Sequence, residues 1–225
     1  MGGEFIKKGE IMKIDVRSAK PDDASFLAWV MRAATRSHLN YGVWERYVGG
    51  NEQDCLAFLS LLATTQKPHL FHYSTFIVAE VNGQKAGALS GYDPKVLGMK
   101  AFTQALPEVI QKLGWSRDEQ KTAFERYLPW MTCMPDDAEG AWIVESVAAR
   151  PEYRRQGVVS MLLDEVLERG RRGGYKRAQI GVLINNTPAR RVYEKRGFKF
   201  DSEKRDPSFE TAFGTPGIAR LLLDL

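Results

Sequence analysis

The sequence predicts an α/β protein in which a mixed β-sheet carries helices on both faces. Residues 76–81 and 85–90 are two β-rich runs flanking Asn82-Gly83, a strong hairpin signal. After residue 141, strand patterns alternate with helix patterns, as in a layered α/β sandwich. Residues 147–159, Val-Ala-Ala-Arg-Pro-Glu-Tyr-Arg-Arg-Gln-Gly-Val-Val, run from a strand through a basic glycine turn into a helix.

The elements follow in order. Residues 12–17 alternate Ile14 and Val16 with polar neighbours, a half-buried first strand. Pro21-Asp22-Asp23 opens a helix to about Arg36; residues 39–50, rich in Tyr, Trp and Gly, read as a loop; a second helix runs from Glu52 to about Thr65. Between the hairpin and Trp142 lie about fifty residues, 92–141, where short connections are the norm. Within them 94–113 and 118–127 are helix-like, with Gly114-Trp115 between, and Phe102, Leu106, Trp115, Phe124, Tyr127, Trp130 and Met131 need burying. This insertion is either a helical pair that thickens the fold or a lid or wall over a binding site. Strands are expected at 142–149, 176–183, 198–204 and 218–223. Residues 1–11 read as a leader, of a kind an expression vector supplies, set ahead of a natural start at Met12; 12–225 then form one domain.

Composition narrows the function classes. A chain of 225 residues, 44% hydrophobic and 27% charged, is an ordinary globule able to bury a core without staples. Cys55 and Cys133 are its only cysteines, which argues against a disulfide framework and for a reducing, cytoplasmic setting. His69 and His72 stand three apart, but no further ligand type clusters beside them, so no metal is expected. No apolar run approaches the roughly 18 residues of a membrane span, and the first eleven residues lack a signal-peptide core. The net charge of +4 is uneven: residues 140–225 hold 16 basic and 11 acidic side chains, residues 1–139 hold 16 and 17. Excess positive charge thus accompanies the glycine turn. A nucleic-acid surface would explain it too, but no reading motif is present and Glu165, Glu168 and Glu194 interrupt the basic residues.

The turn itself is an anion cradle. A helix start offers unpaired N–H groups and a positive dipole end, and Arg154 and Arg155 stand just before Gly157. Gly157 removes the side chain where a ligand oxygen would meet a Cβ. Leu162, Leu163, Val166 and Leu167 give the following helix one apolar stripe, and Gly173-Gly174 supply its stop. About thirty residues on, Asn186-Thr187-Pro188-Ala189 begins a second helix. Thr187 reads as its N-cap, Pro188 as its first residue and Gly197 as its C′ glycine, and Ala189, Val192 and Tyr193 share a face.

Both segments resemble the GNAT acetyltransferase superfamily. Arg154, Arg155-Gln156 and Gly157 match its [RQ]-x-x-G-x-[GA] loop, with Val159 where Gly or Ala is preferred; Asn186 to Phe198 match N-x-x-A-x-x-x-Y-x-x-x-G-F at every fixed position. The resemblance is strongest over residues 141–200. It implies a GNAT-type three-layer α/β sandwich whose mixed central sheet is splayed at the cofactor strands. It also implies an N-acetyltransferase that uses acetyl-CoA, in a ternary complex, on a primary amine. By the same resemblance the strand ending Val147, Ala148 and Ala149 pairs with pantetheine. The amides over Arg154, Arg155, Gln156, Gly157, Val158, Val159 and Ser160 hold the pyrophosphate, and Asn186 reaches the pantetheine arm. Tyr193 is the expected general acid to the thiolate. Glu145 is the expected base; strand periodicity puts it on one face with Val147 and Ala149, and an apolar cleft would raise its pKa. A structural carboxylate paired with an arginine is the competing reading for Glu145; Glu139, His38 and Tyr41 are further candidates for the base. A small-molecule amine is the expected acceptor and a homodimer is compatible with the pattern. A non-catalytic acyl-CoA-binding module and a protein N-terminal or lysine acetyltransferase are the alternatives. No nucleic acid or membrane partner is expected.

Overall fold

The computed structural model describes the main chain of residues 2–7 and 10–225 and the side chains from residue 13 onward. Eight strands form one sheet in the order β1-β2-β3-β4-β5-β6-β8-β7. They are β1 Gly2–Lys7, β2 Glu10–Ser18, β3 Phe76–Val81, β4 Gln84–Tyr92, β5 Ala141–Ala149, β6 Arg177–Leu183, β7 Lys199–Arg205 and β8 Gly217–Asp224. Every neighbouring pair is antiparallel except β5 and β6. The expected leader lies outside the described residues, save for the main chain of β1 and the first residues of β2. The Asn82-Gly83 hairpin forms as expected, both turn residues at positive φ.

Helices cover both faces, so the layered α/β expectation holds. On one face lie α1 Ala24–Arg36, α2 Val43–Val48, α3 Glu52–Leu62, α4 Pro94–Leu97, α5 Met99–Leu113, α6 Arg117–Cys133 and α9 Pro207–Phe213. On the other lie α7 Val158–Arg172 and α8 Thr187–Lys195. Leu162, Leu163, Val166 and Leu167 are all buried, as the stripe on α7 requires. Two glycines of β4 bring α7 close to the sheet. A Cβ at Gly87 would stand 2.8 Å from the Ala148 carbonyl oxygen, and one at Gly91 would collide with Val166 and Trp142.

Three expectations need correction. The segment 39–50 is not all loop: α2 starts at Gly42, whose N–H donates to the Glu45 carboxylate at 2.7 Å, and stops at left-handed Gly49. Buried Arg32 ties it to its neighbours, pairing with Glu45 at 2.9 Å and Glu52 at 2.7 Å. Second, α9 lies unforeseen between β7 and β8, capped by Asp206 and started by Pro207. Helices this short bury little more than one turn, too little to write a periodicity. Third, Phe124 and Met131 of the insertion, expected to need burying, are exposed on the outer side of α6, while the other five residues expected to need burying pack inward. Phe102 and Val109 of α5 and Ala123 and Cys133 of α6 belong to the main core, and Trp115 stacks on Phe58 of α3 at 5.7 Å. Trp130 packs on Phe209 and Phe213 of α9. The helical pair is part of the wall of the protein.

Cys55 and Cys133 are free and buried. Among the described residues no helix is long and apolar enough to cross a membrane, and no group of three or more His, Cys, Asp or Glu is placed to hold a metal ion. His69 is fully buried, its Nδ1 accepting from the Phe71 N–H at 3.1 Å. Burial, then the neighbouring His72, pushes its pKa down to about 4. The unfolded chain therefore binds a proton below about pH 6.5 that the folded one refuses until about pH 4. Stability should fall with pH across that window, by up to about 1.4 kcal/mol per unit from this group. Denaturant titrations should show a shallower pH slope for His69→Gln than for the natural chain; identical slopes would contradict the assignment.

Candidate active site

The sheet opens where β5 and β6 part. The two strands pair from Ala141↔Arg177 to Val144↔Ile180 and no further, although β5 continues to Ala149 and β6 to Leu183. Each keeps its outer neighbour: Ala149 still pairs with Gly87 of β4, and Leu183 with Ile218 of β8. The main-chain groups of residues 145–149 on the β6 side are thus left without a strand partner. A bulge produces the divergence. Ser90↔Glu145 is followed by Ala88↔Ala148, so Leu89 opposes both Ser146 and Val147, and Ser146 takes φ 54°. Bulges of this kind bend a strand and increase its twist.

The same bulge re-aims the side chains and overturns the expectation that Glu145 shares a face with Val147 and Ala149. Val147 and Ala149 join Val144 in the core beneath α7 and α8. Glu145 instead points with Ile143 toward the opposite core, where Tyr92 donates to its Oε2 at 3.0 Å. The inserted residue breaks the period of two between positions 145 and 147. The Ser90 hydroxyl donates to the Glu145 carbonyl oxygen at 3.2 Å. No arginine or lysine pairs with Glu145 among the described residues. Burial, helped by nearby Asp137 and opposed by the Tyr92 hydroxyl, raises its pKa to about 7. Tyr127 of α6 also lies near it, its phenol pushed up by burial and by the Glu145 charge. The insertion thus contributes Tyr127 and Asp137 to the surroundings of Glu145. Tyr92 escaped sequence reasoning because it lies outside the family motifs, at the end of the hairpin.

On the other face, Gly157 caps α7 at φ 85° and Arg155 sits at φ 60°. The positive φ, rather than a clash with a ligand oxygen, is the constraint seen at Gly157. No side chain caps α7, and its first intrahelical bond runs from Met161 N–H to the Gly157 carbonyl, so the amides of Val158, Val159 and Ser160 precede the helical ladder. Arg154 donates through Nε to the Ala149 carbonyl at 3.3 Å, folding the turn back onto β5. Neither Arg154 nor Arg155 pairs with a carboxylate among the described residues. Gln156 is held by the Glu152 carbonyl at 2.6 Å. Free amides and uncompensated guanidinium charge meet here, the chemistry of a phosphate site.

Tyr193 is 7% exposed in the α7–α8 core, beside Phe198 and with Ala189 and Val192 on its face. Its hydroxyl has no hydrogen-bond partner among the described residues, and burial pushes its pKa up. The N-cap of α8 is Asn186 rather than Thr187: Asn186 Oδ1 accepts from the Ala189 N–H at 3.2 Å. Its Nδ2 donates to Ser37 at the end of α1, so both side-chain groups are engaged within the protein. Glu139 and His38 are exposed, and Tyr41 spends its hydroxyl on the Glu45 carbonyl. None of the three is brought to Glu145 by a hydrogen bond.

Residues 43–198 match the model of the acetyltransferase (GNAT) family. Similar solved structures include an acetyltransferase 20% identical over 93% of this chain and 98% of its own, with TM-score 0.67. Drosophila melanogaster polyamine N-acetyltransferase, an enzyme that forms N-acetylagmatine, is 14% identical over 94% and 100%, with TM-score 0.55. A protein from Salmonella typhimurium, solved with its cofactor acetyl-CoA, is 16% identical over 94% of both chains, with TM-score 0.51. At these identities the likeness is one of fold.

Carboxyl-carbon NMR on the apo protein should find Glu145 titrating near 7, by comparison of the natural chain with Glu145→Gln. A value in the ordinary carboxylate range would contradict the enclosed setting described here.

Proposed function

Because the chain belongs to the acetyltransferase (GNAT) family, we propose that it transfers an acetyl group from acetyl-CoA to a primary amine of a small molecule, by direct attack in a ternary complex. The observation that carries this reading is the parting of β5 and β6, with a carboxylate of raised pKa on one face and a buried phenol on the other. The chain's residues fit the cofactor: an unpaired strand edge for an amide-bearing arm, free amides at the start of α7, and two guanidinium groups for phosphates. A polyamine N-acetyltransferase of the same fold supports an amine acceptor.

When bound, acetyl-CoA supplies an electrophilic thioester carbon and a thiolate leaving group. Glu145 removes a proton from the attacking amine, directly or through a water, as the N–C bond forms. A main-chain N–H of residues 147–149 on the open edge donates to the developing oxyanion. Tyr193 gives its proton to the departing sulfur as the C–S bond breaks; Glu145 then releases the amine proton to solvent and Tyr193 takes one from solvent, which restores both groups. With both side-chain groups engaged, Asn186 is proposed to act by holding the start of α8 and the end of α1 together.

Glu145 works in its ionised form, so kcat/KM should rise with pH through about 7 and then level. Glu145→Gln should abolish that limb and lower kcat by about 10²–10⁴-fold, the usual worth of general acid–base catalysis. Tyr193→Phe should lower kcat within the same range while acetyl-CoA affinity holds. Full activity in either folded variant would remove that residue from the mechanism. Gly157→Glu would put a carboxylate at the helix start, and calorimetry should show acetyl-CoA binding weakened by more than about 10-fold. Unchanged affinity in a folded variant would refute the pyrophosphate placement.

A further inference from the structure

Tyr92 is the last residue of β4 and is 5% exposed. With Ser90 on the same strand it holds Glu145 at both ends, the carbonyl through Ser90 and Oε2 through its own hydroxyl. Glu145 Oε1 carries no hydrogen bond among the described residues, and it is not among the fully enclosed polar atoms. A carboxylate with one oxygen anchored and the other free presents its acceptor lone pairs in one direction.

We infer that Tyr92 is a positioning residue for the general base, anchoring Oε2 so that Oε1 is the oxygen that takes the amine proton. The inference rests on Glu145 being the base, as proposed above. Among the described residues Tyr92 from β4 contacts the carboxylate, while Tyr127 from α6, its hydroxyl on Met134 Sδ, and Asp137 from the connection after α6 couple to it through charge. The charges of α1, which also packs on β5, are turned elsewhere, Arg32 and Arg36 pairing with Glu45 and Glu52. Among the described residues the Tyr92 hydroxyl is therefore the one donor that favours the ionised carboxylate, against burial and the charge of Asp137. Tyr92 itself stays neutral, because burial and the adjacent carboxylate push its phenol well above the usual value. Without its hydroxyl, Glu145 loses both an anchor and the interaction that holds its proton affinity down.

The test is the pH dependence of kcat/KM for the natural protein, Tyr92→Phe and Glu145→Gln, with acetyl-CoA and an amine that the natural protein acetylates. Tyr92→Phe should move the acidic limb upward by about one pH unit and lower kcat about 10-fold at neutral pH. Acetyl-CoA affinity and the KM for the amine should stay within about twofold, separating positioning from loss of the fold. Should Tyr92→Phe fold poorly, Tyr92→3-fluorotyrosine keeps the shape and strengthens the donor, and should move the limb downward. A limb that does not move in a folded variant, while Glu145→Gln still removes activity, overturns the role of Tyr92 and leaves Glu145 as the base. Full activity in Glu145→Gln overturns the base itself, and with it the role given to Tyr92.

Discussion

Between Val144 and Ala149, β5 must stay paired with β4 on one side while leaving β6 on the other. The extra residue at Ser146 is what lets it do both. With the bulge, β4 keeps its register at Ser90 and again at Ala88, and the twist it adds accompanies the departure from β6 after Val144. An unbroken β5 would carry its pairing with β6 onward and close the slot. It would also send Glu145 and Val147 to the same face. One inserted residue thus couples the opening of the sheet to the placement of Glu145.

The two faces then take different chemistry. Beneath α7 the sheet lies close: Val158, the first residue of the helix, is against Gly87 and Val166, at its middle, against Gly91, and the electropositive helix start is suited to phosphate. On the side of α1 and α6, buried Tyr92 hydrogen-bonds Glu145, with Tyr127 and the exposed carboxylate of Asp137 coupled to it through charge. Tyr193, on the side of α7 and α8, has its charged form disfavoured by burial alone. On the proposed reading a proton leaves the amine on one side of the sheet and another is delivered to sulfur on the other. The insertion serves both stability and site: Trp115 and Trp130 complete the core over α3 and α9, and Tyr127 feels the charge of Glu145.

Much of this was legible in the residues. The Asn82-Gly83 turn, the α7 stripe and the Asn186–Phe198 segment each state their structure through local chemistry, so the layered sheet and the turn into α7 follow from sequence. What escaped depended on contacts between distant segments. Ser146 looks like any strand residue, and nothing local marks it as left-handed; only pairing with β4 makes it a bulge. The face of Glu145, and hence its partner Tyr92 fifty-three residues earlier, could not be read from a period of two that the bulge interrupts. Asn186, placed by its motif, turned out to be the cap that Thr187 was expected to provide. The short helices α2 and α9 are fixed by their caps and by the aromatic side chains they bury, signals too brief for periodicity to register.

The most direct test of the account is a crystal structure of the protein with coenzyme A and an amine-bearing analogue of the acceptor. The account predicts the pantetheine arm in the gap between β5 and β6, hydrogen-bonded to the main chain of residues 145–149. Glu145 Oε1 should stand on the side of the amine and the Tyr193 hydroxyl on the side of the sulfur. A pantetheine arm bound outside the gap, or both side chains on the same side of the sulfur, would contradict it.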